Sequence, residues 1–186
     1  MCAAMPSVED TCLMVIDFQS ALLSAMKDKI ANKISTNAVI LIEGAKILGL
    51  PIIVTEQYPK GLGETIPPVV TALGDHYKPL EKLSFSIMGE DEIKDTVCDL
   101  KVENFILIGM ETHVCILQSS LDMKDAGFSP YVVLDAVSSR RKLDWKAGTD
   151  SVKRGGGEIT TTEMILFELL KKAGGSEFKG ISKLLK

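Results

Sequence analysis

A chain of 186 residues, 46% hydrophobic and 25% charged, has the length of one globular domain and an ordinary globular composition. Both a two-domain cofactor enzyme and a disordered chain are thereby excluded. The formal charge is −4, and the 21 lysines and arginines include only three arginines, Arg140, Arg141 and Arg154. With most lysines scattered among acids, an extended nucleic-acid partner is not expected.

The first apolar run, residues 11–17 (T-C-L-M-V-I-D), is continuous rather than alternating and ends in a carboxylate, which predicts a fully buried strand. A helical pattern follows over residues 32–48, with Ile34, Ala38, Leu41, Ile42 and Ala45 on one face and Gly49 as its stop. Residues 51–55 form the next strand, and the Gly- and Pro-rich residues 57–68 read as a loop. A strand is expected near residues 77–80 and a helix over 90–100. Residues 104–109 (N-F-I-L-I-G) form another buried strand, followed by a helix over 114–126 capped by Gly127. Strands at 131–134 and 158–160 and a helix at 162–172 complete the chain. Buried strands alternating with helical crossovers predict a single α/β domain over residues 1–186, doubly wound, with a six-stranded, mainly parallel sheet and helices on both faces.

Several classes drop out. The most apolar region, residues 39–54, is interrupted by Glu43 and Lys46, so no membrane span is expected. Residues 1–10 lack the cationic lead and apolar stretch of a secretory signal, so a cytoplasmic location is expected. The four cysteines, Cys2, Cys12, Cys98 and Cys115, form no C-x-x-C pair, and free thiols are expected. With only His76 and His113 as histidines, neither a metal centre nor another cofactor is expected.

Ligands of an open α/β sheet bind beyond the carboxyl ends of its strands. The residues expected there are Asp17, Phe18 and Gln19 after the first strand, and Glu56, Gln57 and Tyr58 after the second. Lys82 follows the third, and Glu111, Thr112, His113 and Cys115 follow the fourth. Cys115 would sit in the first turn of a helix, whose free N–H groups favour a thiolate, and a nearby lysine would add to that. A carboxylate could then act as general base. Each residue also has a plainer reading: Asp17 as a turn cap, Lys82 as a solvated cation, and Cys12, Cys98 and even Cys115 as packed, inert thiols. A His113–Cys115 dyad is disfavoured, because helical residues two apart do not face each other.

Asp17 in V-I-D-F-Q, Lys82 in K-L-S-F-S and Cys115 in G-M-E-T-H-V-C-I resemble, in order and spacing, the catalytic triad of the isochorismatase-like cysteine hydrolases. T-E-Q-Y-P-K-G-L-G, residues 55–63, and the later I-T-T-T-E-M-I-L-F-E-L-L are similar to the eukaryotic isochorismatase domain-containing subgroup. The resemblance implies the isochorismatase-like hydrolase fold, a homo-oligomer, a small-molecule substrate, a cis peptide between Met110 and Glu111, and an oxyanion hole from the N–H groups of Glu111 and Cys115. Asp17 would be the base, Lys82 its partner and the stabiliser of the thiolate, and Cys115 the nucleophile, with Phe18, Gln57 and Tyr58 binding substrate. Metal-binding nicotinamidases of this superfamily carry Asp-x-His after the second strand, where this chain has Glu56, Gln57 and Tyr58. The expected activity is therefore metal-free cleavage of a C–N bond in a small amide or carbamoyl compound through a covalent Cys115 intermediate. The alternatives are a largely non-catalytic, protein-binding member of the family and a ribonuclease-type hydrolase.

Overall fold

Six strands in the order β3-β2-β1-β4-β5-β6, every neighbouring pair parallel, organise the computed structural model, which describes residues 5–186. In chain order the elements are β1 (Thr11–Ile16), α1 (Ser20–Ser24), α2 (Asp28–Leu48), β2 (Ile52–Gln57), α3 (Pro59–Leu62), α4 (Pro67–Leu73), β3 (Leu80–Lys82) and α5 (Asp91–Asp99). They continue with β4 (Asn104–Met110), a π-helical turn (Thr112–Ile116), α6 (Leu117–Asp125), β5 (Ser129–Ser138), α7 (Lys142–Arg154), β6 (Glu158–Thr160), α8 (Thr162–Leu170) and α9 (Gly175–Leu184). Cys2 lies outside the described residues.

The central strand β1 is buried at all six positions, because helices cover both faces of a parallel sheet. Its side chains alternate between two cores. Leu13 and Val15 pack with α2 (Ile34, Ala38, Leu41), α8 (Ile165) and α9 (Ile181), whereas Cys12, Met14 and Ile16 pack with α5 (Ile93, Val97), α6 (Met123) and α7 (Val152). Gly49 ends α2 in the left-handed conformation, φ 73°, and its N–H bonds back to the Ala45 and Lys46 carbonyls, the glycine stop expected of a helix C-terminus. Strand order reverses between β1 and β4, which places the switch point of the sheet between the ends of those two strands.

Four expectations shift. The third strand is residues 80–82, not 77–80: Gly74–His76 form a 3₁₀ turn, Tyr77 is held by Glu56, and pairing with β2 begins at Leu80. Lys82 thus ends the strand instead of following it. The helix expected over residues 114–126 starts at Leu117, because the chain first makes a π-helical turn containing Cys115. Residues 57–68 contain α3 and the start of α4. Residues 175–184, assigned no element above, form helix α9, which buries Ile181 against the α2 face.

Gly109 is required by close approach. Its φ is +126°, and a Cβ there would lie 1.8 Å from the Ile16 carbonyl oxygen. No side chain fits where β4 passes β1 just before the site, and the β4–β5 register shifts at the same point.

Candidate active site

Four neighbouring strand ends, those of β3, β2, β1 and β4, deliver the site. Asp17 follows β1 at φ 53°, a left-handed conformation that aspartate tolerates better than most residues. Its N–H donates to the Thr55 carbonyl at 3.1 Å and its own carbonyl accepts from the Gln19 N–H at 2.7 Å, so the backbone on both sides is fixed. The carboxylate is fully buried. Oδ1 accepts from the Thr55 hydroxyl at 2.8 Å, and Oδ2 pairs with the Lys82 ammonium at 2.7 Å.

Lys82 Nζ, also fully buried, donates to Gln57 Oε1 at 2.7 Å and to the Phe85 carbonyl at 3.2 Å, and lies 3.5 Å from Cys115 Sγ. Gln57 is locked in turn. Its Nε2 donates to the Leu83 carbonyl, and its backbone N–H and carbonyl exchange bonds with the Gln19 side-chain amide at 2.8 and 3.0 Å. Sequence reasoning overlooked Thr55 and gave Gln19 no role. The only signal was their polarity at the ends of apolar strands, where a buried carboxylate and ammonium must find partners.

The Asp17, Lys82 and Cys115 side chains therefore meet at one point. Cys115 is 5% exposed, and its Sγ lies 3.5 Å from Lys82 Nζ and 4.0 Å from Gln57 Oε1. Its thiol is pushed up to about 12, first by burial and then by the Asp17 charge, against which the Lys82 ammonium acts in the lowering direction. The direction of this shift runs against the sequence expectation of a thiolate ionised by its surroundings. Burial also raises the Asp17 carboxyl above the usual range, opposed chiefly by Lys82.

The remaining site residues divide. Gln57 is at the centre, holding Lys82 with its side chain. Tyr58, half-exposed at φ 39°, stands at the rim of a cavity of about 270 Å³ that reaches Lys82 and is also walled by Lys60, Leu83 and Glu90. Phe18 is fully buried in the core on the α2 side, the opposite face from Cys115. The Met110–Glu111 peptide is cis. The Glu111 side chain is taken up by Arg140, through its N–H at 3.0 Å and its Nε at 3.1 Å, and the Glu111 carbonyl accepts the N–H groups of Val114 and Ile116. His113 Nδ1 lies 2.9 Å from the Ser139 hydroxyl, turned to a different neighbour from the thiol. Glu56 Oε1 is occupied by the Thr65 N–H, the Thr65 hydroxyl and the Tyr77 hydroxyl, so this acid braces a loop. Cys12, Cys98 and Cys115 are free thiols.

A doubly wound α/β sheet with a buried acid, ammonium and thiol converging beside its switch point defines the class of protein. The isochorismatase domain matches residues 11–164. The secreted isochorismatase effector Isc1 of Phytophthora sojae is 36% identical over 149 residues, 78% of this chain and 71% of that protein. Isochorismatase domain-containing protein 1 of Danio rerio is 37% identical over 147 residues, again 78% of this chain but 51% of that protein, so the chain spans about half its length. Among solved structures, the MAR1 ribonuclease of Caenorhabditis elegans superposes with a TM-score of 0.90 at 37% identity, covering 98% of this chain and 92% of that one. The chain belongs to the isochorismatase family, in its eukaryotic domain-containing subgroup, and is a family hydrolase. No described helix is long and apolar enough to cross a membrane.

Proposed function

We propose that this chain is a metal-free cysteine hydrolase that cleaves the C–N bond of a small amide or carbamoyl compound through a covalent Cys115 intermediate. The observation that carries the reading is a fully buried ammonium 2.7 Å from one carboxylate and 3.5 Å from one thiol. A buried ion pair is weak evidence for a stabilising role, because desolvation offsets most of the attraction. Such a pair beside a nucleophile fits an acid–base role better.

With burial holding the Cys115 thiol above its ordinary pKa, its proton leaves as the carbon–sulfur bond forms. Sγ attacks the carbonyl carbon while the S–H proton passes to the Asp17 carboxylate, whose raised pKa makes it a stronger base than an exposed carboxylate. Lys82 remains protonated and holds Asp17 in place. The carbonyl oxygen, now negative, is bound by the N–H groups of Glu111 and Cys115; those of Val114 and Ile116 are already given to the Glu111 carbonyl. Asp17 then returns the proton to nitrogen, the C–N bond breaks and the amine leaves. Water attacks the thioester, its proton passing by way of Asp17 to the departing sulfur. Tyr58 faces the substrate from the cavity rim and Gln57 orients Lys82. Phe18 acts from beneath, as packing.

The homo-oligomer belongs to the same proposal, supported by Leu143 and Leu83, 76% and 72% exposed. So does a cytoplasmic location, supported by unbridged Cys12, Cys98 and Cys115; fractionation of the native protein tests it against the secreted Phytophthora relative. The deciding experiment incubates the protein with a panel of small amides and carbamates and measures intact mass. An acyl adduct that disappears in Cys115→Ala, together with turnover, supports the mechanism, and unchanged hydrolysis in that variant overturns it. The nematode relative described as a ribonuclease favours one second reading, hydrolysis of RNA. Cleavage of a single-stranded RNA that is lost in Cys115→Ala would transfer the same residues to that substrate.

A further inference from the structure

A cavity of about 700 Å³, lined by none of Asp17, Lys82 and Cys115, lies between the start of α2 and the segment joining β5 to α7. Lys27, Lys29 and Lys33 line one side and Arg140, Arg141 and Lys142 the other, more than 100 residues away in sequence. Arg140 is committed to Glu111. Among the described residues, the other five side chains have no ion pair or hydrogen bond. The one acid of the lining, Asp135, has Oδ1 engaged by the Thr162 N–H and hydroxyl at 2.9 Å. In a chain of formal charge −4, so many unpaired cations in one concavity leave the remaining surface strongly acidic.

A second feature points the same way. Lys27 and Arg141 are the N-cap residues of α2 and α7, helices of 21 and 13 residues, and neither N-cap side chain accepts a helix N–H. Both helices thus open at the cavity wall with uncapped N–H groups, the positive end of the helix dipole. N-caps are usually Ser, Thr, Asp or Asn, and cations in a first turn are disfavoured. Asp28 and Asp144 in the first turns offset part of this, but neither lines the cavity. Two helix starts carrying cations in place of caps are accounted for by an anion bound between them. The floor is apolar, formed by Ile30, Ile34 and Val137, with Trp145, the chain's only tryptophan, beside it.

We propose that this groove binds a small amphipathic organic anion, an apolar or aromatic body bearing a carboxylate or phosphate. The apolar floor and indole take the body, and the five free cations and two helix starts take the charge. A confined anion fits better than a polyanion, whose further length would meet the acidic surface outside. The site does not depend on the Cys115 reading, since none of the triad lines it.

Trp145 supplies the readout. The full chain is titrated with phenyl phosphate, benzoate, inorganic phosphate and neutral benzyl alcohol, following tryptophan fluorescence, with a single-stranded RNA oligonucleotide in a parallel arm. Saturable change with phenyl phosphate or benzoate supports the proposal, and the stronger of the two identifies the head group. Binding should weaken at least about tenfold, or about 1.4 kcal/mol, in Lys33→Gln/Arg141→Gln. It should persist in Cys115→Ala, which separates this site from the catalytic one. No saturable response up to ~10 mM of either aromatic anion, an unaltered response in the double variant, or binding by RNA alone would overturn it. So would a self-association that the double variant abolishes, which would mark the groove as a contact between copies.

Discussion

Replacing Lys82 by Met removes the ammonium while keeping an unbranched chain of similar reach. At 2.7 Å and an effective dielectric of about 20, the lost attraction to Asp17 is roughly 6 kcal/mol before desolvation is counted. Losing one partner of a buried pair typically costs about 3–5 kcal/mol, a large part of the ~5–15 kcal/mol that holds a domain of this kind folded. Asp17 would then be a buried carboxylate with only the Thr55 hydroxyl and Cys115 thiol beside it, and its pKa, already above 3.8, would rise further. A raised folded-state pKa means that the native chain holds a proton the unfolded chain releases. Stability is therefore full below the unfolded pKa and is lost as pH rises through the folded one. Urea denaturation over about pH 5 to 8 should show Lys82→Met growing more stable as pH falls, and replacing both partners, Asp17→Leu with Lys82→Met, should recover much of the loss. A loss under about 1 kcal/mol, the size of an exposed pair, with no pH slope, would refute the reasoning.

Other consequences are checked as directly. Iodoacetamide near neutral pH should label exposed Cys98 before Cys115, whose thiol is buried and held at about 12; peptide mapping that finds Cys115 first would restore the resting thiolate. Since the thiol of Cys115 is raised from 9.0 to about 12, the unfolded chain sheds that proton first, and stability should fall as pH climbs from 9 toward 12. The slope should become shallower in Cys115→Ala by up to about 1.4 kcal/mol per pH unit. Thr55→Val removes a hydrogen bond to the buried carboxylate and should cost about 1.5–3 kcal/mol in urea denaturation. Gly109→Ala forces a Cβ to 1.8 Å from the Ile16 carbonyl oxygen and should cost more than about 4 kcal/mol or prevent folding, seen as loss of the cooperative thermal transition.

Unbroken apolar runs determined where β1, β2 and β4 fall, because a strand buried on both faces has no other pattern available. The spacing of Asp17, Lys82 and Cys115, with the longer family strings, singled out three side chains that the fold brings together. What one-dimensional pattern could not supply was anything set by convergence. Lys82 ends a three-residue strand whose pairing starts only where Tyr77 has been tied to Glu56. Phe18 turns into the core while its neighbour Asp17 turns to the Lys82 ammonium, and Gln19, Thr55 and Gln57 become a hydrogen-bonded frame only when two strand ends meet. The direction of the Cys115 pKa shift ran opposite to expectation, since desolvation by the assembled core and the Asp17 charge outweigh the lysine. The cationic groove runs opposite too: lysines that look scattered in the sequence are gathered at two helix starts by the sheet. Hydrophobic periodicity is local and survives in the sequence. Burial, electric field and the company a side chain keeps are properties of three-dimensional packing, and only the folded chain decides them.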